Sequence, residues 1–382
     1  NAQYILHSIL AGAFSYRMFR SFGYERFPSL FGGLAFQACG HFATLCYPGH
    51  LQKVQAIVWI PLALGFLHRA LYSGKKYRFL YCAGALSMPL LTSHPQIYYY
   101  GMALALLYVL WALGNRKRKP LQVSTKRIAS FFFILVFFSL ALSAAQILPA
   151  YETSIYSVRA GGMEFEKAIK SSYPPSELFE LVLPRFTGDS IRGGIGGYRG
   201  KWGERLVSDY LGMGVAILFV AGIIFGRRTF KQFFVGIFLL SLIVACGVYS
   251  PLYRALYEII PGMSHFRSPA TVMFITSLSA IILAVMGLEE LLKRSQNGGE
   301  AGKSIKIIRF LLIIGGVFLV ATIMSNFYYA RILNKYRESL PSGGEATFFY
   351  RKMVLIVNSV RRRLFFGSMS SAGRALFIYT QN

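Results

Sequence analysis

The chain contains little acidic chemistry. Asp and Glu together make up 15 of its 382 residues, and Asp189 and Asp209 are the only aspartates. A DxD-like acidic pair is therefore absent, and so are an HExxH helix and a recognisable Ser/His/Asp nucleophile set. These absences argue against zinc-protease and serine-hydrolase chemistry and leave few carboxylates for any catalytic role.

Charged residues of any kind are too scarce for a water-soluble domain. Hydrophobic residues account for 54% of the chain and charged residues for 15%, with a mean hydropathy of +0.47. The apolar segments are long, uniform and rich in Leu and Phe, without the alternation of barrel strands. The sequence therefore predicts an all-α polytopic membrane protein, in which each span needs about 20 mostly apolar residues.

Hydropathy predicts ten transmembrane helices. They cover residues 4–16, 30–47, 54–72, 79–92, 97–114, 128–148, 210–225, 233–249, 270–292 and 307–328. This divides the chain into a membrane bundle over 1–148, a large extracytoplasmic loop with short helices over 149–209, a second bundle over 210–328 and an extracytoplasmic tail over 329–382. Because the chain begins at Asn1 without Met or a leader pattern, we interpret it as an internal piece of a longer protein.

Cysteine is also scarce: Cys39, Cys46, Cys82 and Cys246 all fall in apolar runs. We interpret them as small buried hydrophobes. The segment CGHFATLCYPGH does place Cys39, His41, Cys46 and His50 within twelve positions, and all four are zinc-ligand types. Structural zinc ligands usually occur in closely spaced pairs on tight turns, whereas these residues lie mostly on a predicted span. We therefore predict no metal site from these residues and identify no cofactor; a divalent metal stays an alternative that the sequence does not support.

Positive charge dominates, with 41 Lys and Arg giving a formal charge of +26. The basic residues concentrate in alternate connections between the predicted spans, around residues 17–26, 75–78, 116–127, 227–231 and 293–306. Loops of this kind are retained on the cytoplasmic side. The surplus therefore faces anionic lipid headgroups, and nucleic acid is not an expected partner. The YPGH and SHPQ turns, the polar interval and the segment before Pro269 are predicted to face the opposite side.

The polar interval carries eight of the fifteen acidic residues. Pro149 is predicted to end the preceding span, with Glu152 one turn beyond it. Further on, a Pro-Pro pair precedes Ser176, the predicted N-cap of a short helix that has Glu177 in its first turn and lies flat on the outer leaflet. The glycine-rich segment GDSIRGGIGGYRGKWGE that follows is either a lid over a site or an insertion.

Two other outer segments hold candidate binding residues. His94 and Gln96 lie in the turn SHPQ, where they serve either as turn residues or as ligands. Arg267 stands just before a predicted span, where its guanidinium either binds a phosphate bidentately or reaches towards lipid headgroups.

Several segments, taken in order, resemble the YfhO-like family of bacterial multi-pass membrane proteins. They are LQKVQAIVWIPLALGFLHRAL, LLTSHPQIYYY, AAQILPAYETSIYSVRAG and FRSPATVMFITSLSAIILAVMGLEELL. This family belongs to the wider group of GT-C-type glycosyltransferases. The resemblance implies an enzyme of the bacterial cytoplasmic membrane that passes a sugar from a polyprenyl-phosphate carrier to an envelope glycan or polymer. It also implies an acidic catalytic residue in the first outer loop, which would precede Asn1.

Such a transfer requires a carboxylate near the acceptor hydroxyl and a cation on the departing phosphate. The available carboxylates are Glu152, Asp189 and Asp209, and the available phosphate or sugar partners are Arg267, Arg159, His94 and His50. We expect Arg267 and His94 to contact the phosphate, and Gln96 and Glu152 to bind sugar hydroxyls.

Two other functions fit the same class of protein. A transporter or flippase would place ionisable residues in mid-membrane and often shows interrupted repeats. The predicted spans contain almost no internal charge, and the sequence shows no repeat. A non-catalytic scaffold for envelope glycan modification is favoured if the full-length protein also lacks an outer-loop carboxylate.

Overall fold

The structure is a computed structural model that describes residues 2–46, 48–75, 77–156, 163–184, 186–187, 208–226 and 228–296. These residues form helices, and no strand occurs among them. The α-helices are α1 (Ala2–Phe22), α2 (Arg26–Ala38), α3 (Gly40–Thr44), α4 (Leu51–Ile57), α5 (Trp59–Ser73), α6 (Tyr77–Leu91), α7 (Pro95–Gly114), α8 (Thr125–Leu142), α9 (Ala144–Ile155), α10 (Phe165–Ala168), α11 (Met213–Phe225), α12 (Arg228–Cys246), α13 (Pro251–Ile259) and α14 (Met273–Gln296). Short 3₁₀ helices lie at Pro175–Leu181, Gly247–Tyr249, Met263–His265 and Pro269–Val272.

Four helical stretches in the described part are long and apolar enough to cross a membrane. They are Leu51–Ser73, Pro95–Gly114, Thr229–Tyr249 and Pro269–Gln296, and each overlaps a predicted span. Helices α8 and α9 add a fifth if they form one broken span, since they are bent by 75°. The all-α membrane class is therefore supported, while the count of ten spans stays a prediction. The predicted span 307–328 lies outside the described residues.

Two predicted boundaries are wrong. The span predicted over 30–47 is interrupted at Cys39, whose extended backbone (φ −61°, ψ 143°) separates α2 from α3. Pro149 does not end a span, because α9 runs through it to Ile155. Pro149 lies in the second turn of a helix that begins at Ala144, so its missing N–H removes little of the hydrogen-bond ladder. The chain bends at Ser143, one residue before α9 begins.

The predicted helix after the Pro-Pro pair exists, but Ser176 is not its N-cap. The 3₁₀ helix begins at Pro175 behind Pro174, because a proline is already set for the first helical position. Glu177 lies in the first turn as predicted, yet its side chain is buried, while the apolar Phe179 of the same helix is 53% exposed. The glycine-rich segment that follows, residues 188–204, lies outside the described residues.

Helix α14 is the centre of the described fold. Residues 273–287 are buried without a break, and α14 packs against α2, α11 and α12. The contact with α11 is a close approach of two backbones: a Cβ on Gly222 would lie 1.9 Å from the carbonyl oxygen of Leu283, and one on Gly287 would lie 2.3 Å from that of Leu218. Small residues at such crossings let membrane helices pack tightly.

The other helices pack in a series that begins at α14. Helix α2 packs against α1, α1 against α5, α5 against α6, and α6 against α7 and α8. Contacts between consecutive helices thus alternate with contacts between helices that are distant in the chain. Consequently, both ends of this bundle are built from several separate connections.

The bundle has two chemically different ends. At one end, which we call the basic end, the Lys- and Arg-rich connections meet. Glu25 N–H donates to Glu289 Oε2 (2.9 Å), and the rings of Phe22 and Phe230 lie 5.2 Å apart. Arg118 also donates to the Thr229 hydroxyl. At the other end, the polar end, the intervening connections meet. The predicted alternation of basic and non-basic loops therefore agrees with the contacts between helix ends.

Candidate functional site

Three helix starts converge at the polar end. Helix α4 begins after His50, α7 begins after His94, and α14 begins through the 3₁₀ helix that follows Ser268. Helix α7 contacts both of the other two starts. Gln96 fixes one of these contacts, because its side-chain amide donates to the backbone carbonyl of Arg267 over 2.8 Å. The SHPQ turn is thereby held against the FRSP segment.

This convergence collects positive charge. Lys53, in the first turn of α4, lies near enough to Arg267 for their charges to interact, and His94 lies near both Lys53 and His50. We call His50, Lys53, His94 and Arg267 the polar-end cluster. No carboxylate in the described residues pairs with any of these four side chains. The cations Lys53 and Arg267 therefore lie together without a counter-charge in the described part of the chain.

Both histidines of the cluster have a lowered pKa. Burial and then the nearby Lys53 charge lower the pKa of His94 to about 4. The pKa of His50 is lowered in the same way, first by burial and then by Lys53. The Nδ1 atom of His94 is buried and forms no hydrogen bond with another described residue. An unsatisfied buried polar atom costs about 1–3 kcal/mol, so a ligand atom that reached it would recover this energy.

The backbone beside the cluster is strained. Ser93, directly before His94, has φ 59°, and Ser268, directly after Arg267, has φ 60°. Ser93 occupies the left-handed position at the end of α6, where the N–H of Ser93 bonds to Leu90 O and that of His94 to Pro89 O. Glycine is usual there, because other residues pay about 1–2 kcal/mol for this conformation. Strain of this kind often occurs where a protein holds a side chain for function.

A second polar pair lies at the same end. His41 Nδ1 and Asp209 Oδ1 are 2.6 Å apart, and both side chains are buried. The backbones are joined as well: Gly40 N–H donates to Tyr210 O (2.7 Å), and Ser208 N–H to the hydroxyl of Thr44 (2.9 Å). The contacts of Asp209 thus hold the end of the polar interval against α3.

The cysteine and histidine segment does not assemble into a metal site. Burial and, to a smaller extent, the Asp209 charge raise the pKa of the Cys39 thiol to about 12, so Cys39 is not a thiolate. Cys46 is exposed. Among the described residues, no three His, Cys, Asp or Glu side chains are arranged so that they could hold a metal ion.

Four of the residues chosen from the sequence therefore meet in one place: His50, His94, Gln96 and Arg267. Glu152 lies exposed on α9, which packs against α6 and α8. Arg159 and Asp189 lie outside the described residues. Sequence reasoning missed Lys53, because its connection was treated as nearly free of charge. Its position three residues after His50, in the first turn of a helix, was the available signal.

Comparison of the chain with known protein families, with curated proteins and with solved structures finds no match. A functional proposal therefore depends on the geometry of the polar-end cluster and on the sequence segments that form it.

Proposed function

We propose that this chain belongs to an enzyme of the bacterial cytoplasmic membrane that transfers a sugar from a polyprenyl-phosphate carrier to an envelope glycan or polymer. The polar-end cluster binds the phosphate of the carrier. One observation carries the proposal: His50, Lys53, His94 and Arg267 come together from three distant segments, and no described carboxylate pairs with the two cations among them, Lys53 and Arg267.

The position of the cluster fits an amphipathic donor. Its residues lie at the ends of three of the candidate spans, Leu51–Ser73, Pro95–Gly114 and Pro269–Gln296. A phosphate bound there has its isoprenoid chain beside the apolar helices and its sugar beyond them. The cluster lies at the end opposite to the basic connections, which is the extracytoplasmic end if those connections are retained inside.

The chemistry of the four side chains suits a phosphodiester. An Arg guanidinium can bind two phosphate oxygens at once, and Lys53 supplies a point charge beside it. Helices α4 and α7 both begin without a side-chain cap, so their N-termini add partial positive charge. The unpartnered Nδ1 of His94 provides a further contact once the ring has the matching tautomer or takes up a proton.

In the proposed reaction, an acceptor hydroxyl oxygen attacks the anomeric carbon of the sugar, and the bond from that carbon to the phosphate oxygen breaks. The carrier phosphate leaves with the electron pair, and Lys53 and Arg267 stabilise its developing charge. A carboxylate base receives the hydroxyl proton. None of the four cluster residues has a carboxyl group that could be this base. The resemblance to the YfhO-like family assigns the base to an outer loop.

The absence of a described carboxylate in the cluster also favours a second candidate. A flippase of the same carrier, or a scaffold that presents it, would need the phosphate site without a base. Both alternatives predict that the carrier binds and that no sugar is transferred.

The test uses the full-length protein in lipid nanodiscs with a radiolabelled polyprenyl-phosphate sugar. Lys53→Gln and Arg267→Gln are each expected to weaken binding at least tenfold. Lys170→Gln is the matched control. It removes the same charge, and Lys170 is an exposed residue that follows α10 at the same end of the bundle. It should change binding less than twofold. Equal effects in all three variants would overturn the phosphate site.

The same preparations separate the three functions when they are incubated with envelope acceptor. Release of free polyprenyl phosphate together with labelled acceptor supports transfer. Binding without release, combined with movement of the label between leaflets, indicates a flippase, and binding without either indicates a scaffold. Arg267→Ala and His94→Ala should reduce transfer, and unchanged transfer at normal expression would refute the assignment of these residues.

A further inference from the structure

The basic end contains an arginine groove that the proposed function does not use. It has a volume of about 680 Å³, and its walls come from α1, α2 and α5. The lining residues are Ala13, Phe14, Tyr16, Arg17, Arg20, Arg26 and Arg69. Four guanidinium groups therefore share one groove at the end of the bundle opposite to the polar-end cluster.

The positive charge of this groove is not neutralised within the described chain. Arg69 lies near enough to Arg17, Arg20 and Arg78 for their charges to repel. None of the four groove arginines forms an ion pair with a described carboxylate. Two of them are held by neighbours that leave the charge in place: Arg20 donates to the backbone carbonyl of Tyr24, and Arg17 lies 5.7 Å from the centre of the Phe66 ring. The groove is thus prepared for an anion.

The surfaces that continue from the groove are apolar. One face of α1 changes from apolar to cationic along the helix. At helical spacing it carries Leu6, Ile9, Ala13, Arg17 and Arg20, so its N-terminal half is apolar and its last turns are cationic. Leu6 and Ile9 are 52% and 57% exposed. The distance from residue 6 to residue 17 along a helix is about 17 Å, close to half of the roughly 30 Å hydrocarbon core.

Helix α2 repeats this arrangement beside α1. Arg26 stands at its first position, and Phe27, Leu30 and Leu34 follow on one stripe, each more than half exposed. Guanidinium groups at one end of two adjacent apolar stripes match the shape of a phospholipid, which has a phosphate above its acyl chains. Basic pockets between membrane helices on the cytoplasmic side are known to bind such headgroups.

We propose that the arginine groove binds the phosphate headgroup of an anionic phospholipid, whose acyl chains lie on the exposed faces of α1 and α2. This site is independent of the polar-end cluster, and it does not depend on the proposed glycosyl transfer.

The experiment uses the full chain in phosphatidylcholine nanodiscs that contain a small fraction of photoactivatable phosphatidylglycerol, with labelled peptides mapped by mass spectrometry. We expect label on α1 and α2, and at least a fivefold loss of it in the double variant Arg17→Gln/Arg69→Gln. The control Lys117→Gln/Lys126→Gln removes the same charge from exposed positions of the basic end and should stay within twofold of the unmodified protein. A photoactivatable phosphatidylcholine gives the background.

Three results would overturn the proposal. The first is an equal loss of label in the two double variants, and the second is no preference for phosphatidylglycerol over phosphatidylcholine. The third is displacement of the label by inorganic phosphate at about 10 mM, which would indicate a soluble anion as the ligand. If the Arg17/Arg69 variant does not fold, Arg26→Gln provides the same comparison at an exposed side chain. Arg26→Gln should lose about half of the label or more, and full retention of the label would contradict the site.

Discussion

The two ends of the bundle differ in how their positive charge is placed. At the basic end the cations are numerous and mostly exposed, and the space between the helices is filled with rings: Phe22 alone contacts the rings of His68, Tyr108, Phe230 and Phe234. At the polar end two cations, Lys53 and Arg267, are brought together from distant segments beside His50 and His94, whose pKa values are lowered. The number of charges therefore does not indicate the candidate site, whereas their convergence from distant segments does.

The ends also differ in backbone strain. At the basic end, the turns that need a positive φ use glycine, at Gly23 and Gly74. At the polar end, Gly49, Gly212, Gly247 and Gly262 do the same, but Ser93, Ser171 and Ser268 adopt this conformation without being glycine. A serine in the left-handed region is less stable than glycine there. The polar end thus carries conformational strain that the basic end avoids, as expected if its geometry serves binding.

The largest effect is expected where α14 joins the two ends. Gly222→Val places a side chain against the backbone of α14, where a Cβ would already lie 1.9 Å from Leu283 O. Backbone atoms cannot move aside as a flexible side chain can, so we expect a loss of more than about 3 kcal/mol and little folded protein. Gly84→Val in α6 is the control, because nothing lies within 4 Å of its Cβ position. Size-exclusion profiles and thermal unfolding in detergent measure both, and normal folding of Gly222→Val would contradict the packing of α11 on α14.

A smaller loss is expected from the buried His41–Asp209 pair of the polar end. Asp209→Asn weakens the hydrogen bond to His41, and a disrupted hydrogen bond to a buried charged group costs about 1.5–3 kcal/mol. Glu258→Gln breaks the exposed pair with Arg254 (3.1 Å) and should cost less than about 0.5 kcal/mol. Chemical denaturation of the two variants compares them. If Asp209→Asn instead left stability unchanged and abolished sugar transfer, Asp209 would be the catalytic base and not a structural residue.

The sequence alone could predict the helical class, the alternation of the loops and the turn residues that meet in the candidate site. Long apolar runs and clustered Lys and Arg are local signals, and His94, Gln96 and Arg267 are conspicuous because their segments are otherwise apolar. The His41–Asp209 pair could not be found in this way, since its members are 168 residues apart and one of them lies on an apolar helix. Lys53 was missed for a related reason: its importance comes from what α7 and the start of α14 place beside it, not from its own connection.

The pH dependence of binding tests whether His94 belongs to the site. Its pKa of about 4 should rise when a phosphate binds beside it, so binding takes up a proton and the affinity should increase as the pH falls from 8 to 5.5. A polyprenyl-phosphate sugar is a phosphodiester and does not itself titrate in this range. We expect a threefold to tenfold increase, measured by equilibrium binding in nanodiscs.

The ligand-free protein should show the opposite trend in stability. A histidine with a folded pKa near 4 and an ordinary unfolded value near 6.5 makes the protein less stable as the pH falls through that window, because the unfolded chain binds the proton first. His94→Gln should remove the contribution of His94 from both trends. An unchanged pH dependence of binding in His94→Gln would remove His94 from the site.

The smallest effect concerns the strained serines. Ser93→Gly and Ser268→Gly permit the positive φ without strain, so together they should leave stability unchanged or raise it by up to about 1 kcal/mol, even though Ser93 loses the hydrogen bond from Gln146.

Glycine also gives the chain more freedom on either side of the cluster. Binding of the polyprenyl-phosphate sugar should therefore weaken about threefold, because His94 and Arg267 are held less firmly before the ligand arrives. Ser171→Gly, at the third such position beside α10, is the control and should affect stability alone. If all three substitutions left binding unchanged, the strain at the polar end would serve the fold, and the contrast with the glycine turns of the basic end would have no functional meaning.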